Sequence, residues 1–283
     1  MVGIDQVLEK LSTVIDPDLK KDIVSMGMIK DLELNDGDLK FTLELTTPAC
    51  PFNVEIEDDV RKVIAELSDL KNFDLNVTAK VMDGRDLGAD TQMATVKNII
   101  GVASGKGGVG KSTVSLNLAL ALSQTGAKVG LLDADIYGPS IPLMLGMKDG
   151  SMEVEDNKLQ PADCNGLKVV SFGFFADQSN QAAIYRGPII SGILKQFLVD
   201  TNWSELDYLI VDLPPGTGDI PLTLAQTIPI TGILVITTPQ DVASNVAVKA
   251  VSMFEKLNVP IIGVIENMSH FICPNCDDKH YIF

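Results

Sequence analysis

The order of apolar and polar positions divides the chain into two parts with different periodicities. In residues 1–82, apolar and polar side chains alternate over 29–35 and 38–46, which predicts two strands. The sequence NDGD between them predicts a hairpin. A third strand is predicted near 73–82, with helices near 3–13 and 52–67. This part is therefore expected to be a small α+β domain.

From about Val96 onward, short apolar runs alternate with helical stretches. These runs are apolar almost throughout, which is typical of a parallel sheet covered by helices on both faces. Residues 96–283 are therefore predicted to form a doubly wound α/β domain that binds ligands at the carboxyl ends of its strands. The polar, glycine-containing segment 83–95 is interpreted as a linker. The strands are predicted at 96–104, 127–135, 167–173, 207–215, 231–239 and 259–267, and the helices at 111–124, 186–200 and 242–257.

Composition narrows the classes of function. The 283 residues are 46% apolar, but no uninterrupted apolar run is long enough to span a bilayer, and the start MVGIDQVLEK lacks the features of a signal peptide. A cytoplasmic location is expected. The net charge of −16 disfavours broad binding to nucleic acid or anionic lipid. The four cysteines, in a chain without an export signal, indicate thiol chemistry or metal binding rather than a disulfide framework.

A glycine-rich loop follows the first apolar strand of the second part. It matches G-x-x-x-x-G-K-[ST] and opens a helix, the context in which this pattern predicts a phosphate-binding loop rather than a flexible turn. Glycines let backbone N–H groups surround phosphates, and the start of a helix favours negative charge. Lys111 is expected to reach the β- and γ-phosphates and the Ser112 hydroxyl to bind Mg²⁺. The predicted ATP-binding residues of the loop are Gly105, Lys106, Gly107, Gly108, Val109, Gly110, Lys111, Ser112 and Thr113.

The second lysine of this loop, Lys106, departs from the ordinary pattern. With it, the loop resembles the deviant form KGGxGK[ST] of nitrogenase iron protein, the division and partition ATPases and the Mrp/ApbC iron–sulfur carriers. In that group the extra lysine reaches the partner subunit's nucleotide, so the resemblance implies an ATP-bound homodimer in which Lys106 is catalytic. A solvated lysine beside the loop is the alternative.

Carboxylates follow two further strands of the predicted sheet. Asp133 and Asp135 end one strand, and Asp212 ends another at the position typical of a residue that holds Mg²⁺. The resemblance places Asp135 in a first switch loop, where it is expected to orient the attacking water, and 215–218 in a second switch. A helix cap or a solvated turn is the alternative for each carboxylate. Asn267 could contact the adenine edge or simply form a turn.

Two cysteines lie close together near the end of the sequence, Cys273 and Cys276 in CPNC. Iron–sulfur clusters usually need four thiolates, so one chain offers half of such a site and a two-fold dimer would complete a [4Fe–4S] centre. A thioredoxin-like redox pair is disfavoured because no helical pattern follows. Zinc remains open because His270 and His280 bracket the pair and could supply N₂S₂ ligands; structural inertness is a further alternative.

The order of the motifs over residues 96–283 resembles that of the Mrp/ApbC-type iron–sulfur cluster carriers. The motifs are, in order, SGKGGVGKST, DADIYGPS, VDLPPGTGD, TTPQ, ENMS and CPNC. VIDPDLKKDIVSMGMI and TTPACP resemble the iron–sulfur-assembly domain often fused ahead of this ATPase. The resemblance makes Cys50 a candidate for cluster hand-off or target contact, with a buried structural cysteine as the alternative; Cys164 is interpreted as structural. Such carriers usually continue beyond HYIF, so a shortened carboxyl end is expected, without elements that would complete the edge of the fold.

These expectations together describe a slow ATPase that uses ATP and Mg²⁺, holds a [4Fe–4S] cluster between two identical chains and transfers it to apo iron–sulfur proteins. Nucleic acid and membrane are not expected partners. A positioning ATPase of the ParA/MinD type is an alternative that would need a basic surface, and none is evident. A nitrogenase-type reductase is disfavoured by the adjacent cysteines. An ATPase with a structural zinc site remains open.

Overall fold

The chain separates into two compact units. The computed structural model describes residues 2–68, 70–81, 84, 93, 95–147, 152–175 and 187–282, and its contacts divide the chain into Met1–Met82 and Asp83–Phe283. The predicted linker 83–95 lies outside the described residues except for Gly84, Met93 and Thr95. Within the described ranges, every helix is too short or too polar to cross a membrane.

The amino-terminal unit is the small α+β structure that the sequence predicts. Its sheet has the order β1-β2-β3, with β1 antiparallel and β3 parallel to β2. The predicted hairpin is present, since Asp36 and Gly37 adopt positive φ angles of 49° and 92° between its strands, as the tight two-residue turn requires. The elements are α1 (Ile4–Leu11), β1 (Ile29–Asn35), β2 (Asp38–Leu45), α2 (Asn53–Ala65) and β3 (Asn72–Ala79).

The core of this unit lies between its helices and one face of its sheet. Strand β2 alternates strictly, with Leu39, Phe41 and Leu43 at 1% exposure or less and polar residues between them. Helix α2 buries one residue per turn toward the same core. The regular alternation explains why the sequence located these strands.

The carboxyl-terminal unit is built on a seven-stranded sheet of order β12-β11-β4-β10-β5-β9-β8. All neighbouring strands are parallel except β8, which is antiparallel to β9. The predicted mostly parallel doubly wound sheet is thus confirmed. The elements are β4 (Val96–Ser104), α3 (Lys111–Gln124), β5 (Val129–Asp133), α4 (Ile141–Met144), β6 (Val154–Glu155), β7 (Lys158–Leu159), β8 (Ala162–Cys164), β9 (Leu167–Ser171), α5 (Gly187–Val199), β10 (Leu206–Asp212), α6 (Asp219–Thr227), β11 (Gly232–Thr237), α7 (Asp241–Lys256), β12 (Ile261–Glu266), β13 (Phe271–Ile272) and β14 (Lys279–His280).

Helices cover both faces of this sheet. In β10, Leu209 and Val211 pack into the core layer that includes residues of α5, α6 and α7, whereas Ile210 packs into the layer that includes residues of α3. Because both sets of alternating residues are buried, residues 209–211 are apolar without alternation. This burial accounts for the continuous apolar runs in the sequence.

The carboxyl ends of the central strands meet at one edge of the sheet. Asp212 at the end of β10 lies directly opposite Asp133 at the end of β5 in the strand register, and the loop after β4 leads into α3 beside them. Parallel strands lie about 4.8 Å apart. The fold therefore brings two carboxylates and the glycine-rich loop to a common site.

Candidate functional site

The glycine-rich loop runs from the end of β4 to the first residue of α3. Gly108 and Gly110 have positive φ angles of 81° and 87°, which a residue with a Cβ rarely adopts. At Gly105 the restriction is steric: a Cβ there would lie 2.5 Å from the carbonyl carbon of Val246 in α7. The loop sequence is thus dictated by its backbone geometry, which directs the start of a 14-residue helix at the site.

Lys111 and Ser112 both contact Asp212. The Lys111 Nζ donates to Asp212 Oδ1 at 2.8 Å and the Ser112 Oγ donates to Oδ2 at 2.6 Å. Ser115, one helical turn after Lys111, also donates to Asp212 Oδ1 at 2.6 Å. Asp212 is fully buried and the Lys111 side chain is 6% exposed. The carboxylate is therefore held by one cation and two hydroxyls, and it fixes the lysine at the loop.

Asp133 is a second buried carboxyl group at the same edge of the sheet. Burial, followed by repulsion from Asp212, raises its pKa from 3.8 to about 7. Three hydrogen bonds oppose this shift: the backbone N–H groups of Ile141 and Asp135 donate to Asp133 at 3.2 Å each, and the Ser171 hydroxyl donates at 3.0 Å. Asp133 thus organises the loop that carries Asp135.

Asp135 lines the cavity that the glycine-rich loop encloses. Burial raises its pKa, the Lys111 cation opposes that rise, and the Asp212 charge adds to it. The cavity measures about 320 Å³. Its lining comprises Ser104, Gly107, Gly108, Gly110, Lys111, Ser112, Thr113, Asp135, Ser140, Met144 and Pro215.

The Ser104 hydroxyl at the end of β4 is buried in this cavity wall without a hydrogen-bond partner among the described residues. A buried hydroxyl without a partner is costly, so it marks a place where a polar ligand atom would be stabilised. The Ser104 carbonyl accepts the backbone N–H of Gly216 at 2.8 Å, which ties the glycine-containing loop 215–218 to the same strand. Lys106 is exposed on the loop.

Asn267, which follows β12, contacts the glycine-rich loop. Its Nδ2 donates to the Val109 carbonyl at 2.9 Å, and the same nitrogen would lie 2.3 Å from a Cβ added at Gly110. The amide thus packs against the loop backbone and links β12 to it. The contact of Asn267 with adenine stays a prediction.

Cys273 and Cys276 lie in the turn of a short hairpin formed by β13 and β14, and no helix follows them in the described residues up to 282. The backbone N–H groups of Asn275 and Cys276 and the Cys276 thiol donate to the Cys273 sulfur and lower the pKa of that thiol. The arrangement favours a thiolate, which is the form that binds metals.

Only one of the two histidines joins this pair. The sulfurs of Cys273 and Cys276 and a ring nitrogen of His280 all lie within 4.8 Å of one another, and within the described ranges His270 is not part of the group. The structure thus does not bring both histidines to the pair, as the open N₂S₂ alternative would require: the His270 ring packs 6.2 Å from the Tyr281 ring instead.

The remaining cysteines lie elsewhere, and all four cysteines are free thiols. Cys50 is half-buried in the turn before α2, where the Asn53 side chain donates to the Thr47 and Pro48 carbonyls and braces the segment. Cys164 lies at the end of β8 and packs against the core layer under α3. The proposed role of Cys50 stays a prediction.

The structure brings most of the predicted site residues to one cavity, lined by Gly107, Gly108, Gly110, Lys111, Ser112, Thr113 and Asp135. Asp212 is bonded to Lys111 and Ser112 of this lining, whereas Gly105, Lys106 and Val109 belong to the loop but do not line the cavity. The cysteine pair lies in a separate hairpin. Three serines of the site were not predicted from the sequence: Ser115, which donates to Asp212, and Ser104 and Ser140, which line the cavity. Ser115 could have been found, because it lies four residues after Lys111 and so on the same face of α3.

Two protein families match the chain. The ParA family, described as NUBPL iron-transfer P-loop NTPase, matches residues 95–283, and a family described as iron-sulfur cluster assembly protein matches residues 4–73. An iron-sulfur cluster carrier protein from Synechocystis is 46% identical over 99% of this chain and 80% of its own length. The chloroplastic Fe-S cluster assembly factor HCF101 from Arabidopsis thaliana is 47% identical over 97% of this chain and 52% of its own length.

A solved structure resembles about two thirds of this chain. It is a nucleotide-binding protein from Archaeoglobus fulgidus in complex with ADP, with cobalt found by PIXE. It is 42% identical, covers 68% of this chain and 75% of its own, and superposes with a TM-score of 0.59. Because the glycine-rich loop and the carboxylates have the geometry of a phosphate site, and because residues 95–283 match as a unit, this chain belongs to the family of iron-transfer P-loop NTPases.

Proposed function

We propose that this chain is an ATP-hydrolysing carrier that holds an iron–sulfur cluster between two identical subunits and transfers it to apoproteins. The observation that carries the proposal is the presence, in one compact unit, of a full set of phosphate-binding groups and of only half the thiolates that a cluster needs. The names of the bacterial relatives point to the same cargo.

The phosphate site fits ATP and Mg²⁺ on the groups it contains. The cavity has room for phosphates, the Ser104 hydroxyl has no hydrogen-bond partner in the described part of the chain, and Lys111 is held at the site by Asp212. Ser112 and Asp212 would hold Mg²⁺, which supplies charge neutralisation at the phosphates. The roles proposed for the chain's own residues are phosphate binding by Lys111 and the loop amides, and orientation of the attacking water by Asp135.

Dimer formation is proposed from three features of the carboxyl-terminal unit. Lys106 is exposed on the loop, as a residue that serves a partner subunit's nucleotide would be. Tyr137 and Leu143 are exposed to 64% and 73% and Met144, which lines the cavity, to 40%, so an apolar surface adjoins the phosphate site. Burial of such a surface favours association. The two thiolates of each chain then become four at a two-fold axis.

The cargo proposed is a [4Fe–4S] cluster, and its transfer is carriage without redox change at the carrier. Hydrolysis serves as a switch of the dimer, so slow turnover is expected, with the loop 215–218 as the segment that responds to the γ-phosphate. The net charge of −16 favours protein recipients over nucleic acid or anionic membranes. The cytoplasmic location stays a prediction.

We further propose that residues 1–82 form a separate domain, joined through 83–95 to the ATPase domain 96–283. The match of residues 4–73 to iron-sulfur cluster assembly proteins supports a role for the first domain in the same pathway. Cys50 is the group there that would contact a cluster or a recipient protein.

Anaerobic reconstitution with iron and sulfide tests the cargo. About four irons and four sulfides per dimer are expected, together with a dimeric mass and activation of an apo-protein that needs a [4Fe–4S] cluster. Cys276→Ser should abolish cluster binding, while Cys164→Ser, the matched control outside the hairpin, should retain it. A stable cluster on a monomer, or an equal loss in both variants, would contradict the proposal.

Mixing two inactive chains tests the shared nucleotide site. Lys106→Ala chains still bind ATP but lack the lysine given to the partner, whereas Lys111→Ala chains lack the phosphate lysine but retain Lys106. If Lys106 acts across the interface, the mixture hydrolyses ATP although neither variant does so alone. A mixture as inactive as its components would exclude this role.

A further inference from the structure

The hairpin that carries the cysteine pair contains a third metal-ligating side chain, His280. We infer that one chain, without a partner subunit, binds a single divalent transition-metal ion through the sulfurs of Cys273 and Cys276 and a ring nitrogen of His280. This inference goes beyond cluster carriage and does not depend on it, although both use the same two thiols.

Strand pairing explains why these three side chains meet. His280 in β14 lies directly opposite Phe271 in β13, and the two rings are 6.5 Å apart on one face of the hairpin. Cys273 follows Phe271 by two residues and so lies on that same face, since alternate residues of an extended segment share a face. Cys276 lies in the turn beside it. The hairpin register therefore places the His280 imidazole next to the two thiols.

The same alternation excludes His270 from the site. His270 precedes Phe271 and Tyr281 follows His280, so both belong to the opposite face, where their rings pack 6.2 Å apart. The His270 Nδ1 also lies 3.4 Å from the Ser269 hydroxyl. The two histidines, equivalent in the sequence pattern, thus have different surroundings.

The distances suit a single small ion. The three candidate ligand atoms lie within 4.8 Å of one another. In a tetrahedral site with metal–sulfur bonds of about 2.3 Å and metal–nitrogen bonds of about 2.1 Å, ligand atoms are about 3.5–3.8 Å apart. A movement of about 1 Å by exposed side chains closes the site.

Charge and exposure define the kind of site. Binding of a divalent ion to two thiols and a neutral imidazole releases two protons and leaves a neutral centre. Cys276 and His280 are exposed and Cys273 is half-buried, so a fourth position faces solvent and takes water or another small ligand. Two thiolates and one imidazole favour Zn²⁺, Co²⁺ or Fe²⁺ over Mg²⁺ or Ca²⁺. A bound ion would occupy the thiols that a cluster needs.

Anaerobic titration of the full chain with Co²⁺, monitored by absorption, tests the inference. Tetrahedral Co²⁺ with thiolate ligands gives intense visible bands and a sulfur-to-cobalt charge-transfer band. One Co²⁺ per chain is expected, at a dilution where the mass is that of a monomer. His280→Asn should weaken Co²⁺ binding by at least about 10–100-fold, the loss typical of even an outer-shell partner, and shift the visible bands. His270→Asn is the matched control and should change neither.

Three results would overturn the inference: half a Co²⁺ per chain with a dimeric mass, equal spectra and affinities for His280→Asn and wild type, or equal losses in both histidine variants. Iron and sulfide binding by the same His280→Asn protein separates the two proposals. If that variant reconstitutes a cluster at a dimer but binds Co²⁺ like wild type, cluster carriage stands and the single-ion site fails. If His280→Asn alone loses Co²⁺ while wild type binds no cluster, the reverse holds.

Discussion

Lys111 Nζ and Asp212 Oδ1 lie 2.8 Å apart in a buried ion pair that joins the first residue of α3 to the last residue of β10. The pair fixes the side chain of Lys111, the residue for which phosphate binding is proposed. Because Ser112 also donates to this carboxylate, removal of Asp212 leaves the buried Lys111 cation and the Ser112 hydroxyl without this acceptor, whereas Ser115 keeps its bond to the Lys111 carbonyl at 3.0 Å.

Asp212→Ala is therefore expected to destabilise the nucleotide-free protein by about 3–5 kcal/mol, the usual cost of leaving one charge of a buried pair uncompensated. Denaturant unfolding followed by Trp203 fluorescence measures this, because the chain has a single tryptophan and it is buried in the carboxyl-terminal unit. Glu205→Ala breaks an exposed pair with Lys128 in the same unit and should cost about 0–1 kcal/mol. Equal losses in the free energy of unfolding for the two variants would mean that the buried pair stabilises the protein no more than the exposed pair does.

Gly105→Ala is expected to destabilise the folded protein through a steric clash within the chain, independently of any ligand. Its Cβ would lie 2.5–2.8 Å from backbone atoms of Val246 and Ala247, so α7 has to shift, at a cost of about 1–3 kcal/mol. Gly107→Ala is the matched control, since a Cβ there has nothing within 4 Å, and its change should stay within about 0.5 kcal/mol. Trp203 fluorescence without nucleotide checks both. A larger loss for Gly107→Ala would contradict the steric account.

The sequence predicted the parts of the fold that repeat a simple pattern. The alternation in β2 and the apolar runs within β4 (99–103) and β10 (209–211) both follow from burial of these strands. The antiparallel edge strand β8 was missed because it is three residues long, although the turn that follows it, Asn165-Gly166, has positive φ angles of 54° and 85° and is a recognisable hairpin signal. Helices α4 and α6 were missed as well.

The site residues that belong to a short sequence motif could be predicted from the sequence. The loop pattern located Lys111 and Ser112, and a strand-end position located Asp212. The separation of His270 from His280 was not predictable from spacing, because it depends on the register of β13 against β14, which decides the face of each residue. The raised pKa of Asp133 likewise depends on burial and on its cross-strand neighbour Asp212.

Asp133 is expected to make stability depend on pH. Its folded pKa of about 7 exceeds the ordinary 3.8, so between these values the folded protein retains a proton that the unfolded chain has lost, and stability falls as pH rises. Asp133→Asn removes this dependence. Its stability relative to wild type should therefore increase by about 1.4 kcal/mol per pH unit from pH 5 to about 7 and then level off.

Trp203 unfolding curves of both proteins across pH 5–8 measure this difference. Asp135, whose pKa is also raised, is present in both proteins, so its contribution cancels to first order. Ser171→Ala provides a second check, because loss of its hydrogen bond to Asp133 should raise the Asp133 pKa further and extend the sloping region to higher pH. A constant difference between wild type and Asp133→Asn across the range would mean that Asp133 is ionised throughout.

Asn267→Ala distinguishes a contact with adenine from support of the loop. The Nδ2 bond to the Val109 carbonyl predicts support, and its loss, worth about 0.5–1.5 kcal/mol, should weaken ATP and GTP binding by the same factor of about 2–10. A contact with the adenine edge would instead weaken ATP alone and lower the ATP-to-GTP affinity ratio. Calorimetric titration of both nucleotides into wild type and variant measures the ratio. Since the amide is already engaged by the loop backbone, an unchanged ratio is expected, and a ratio that falls with the ATP affinity would refute loop support as the role of Asn267.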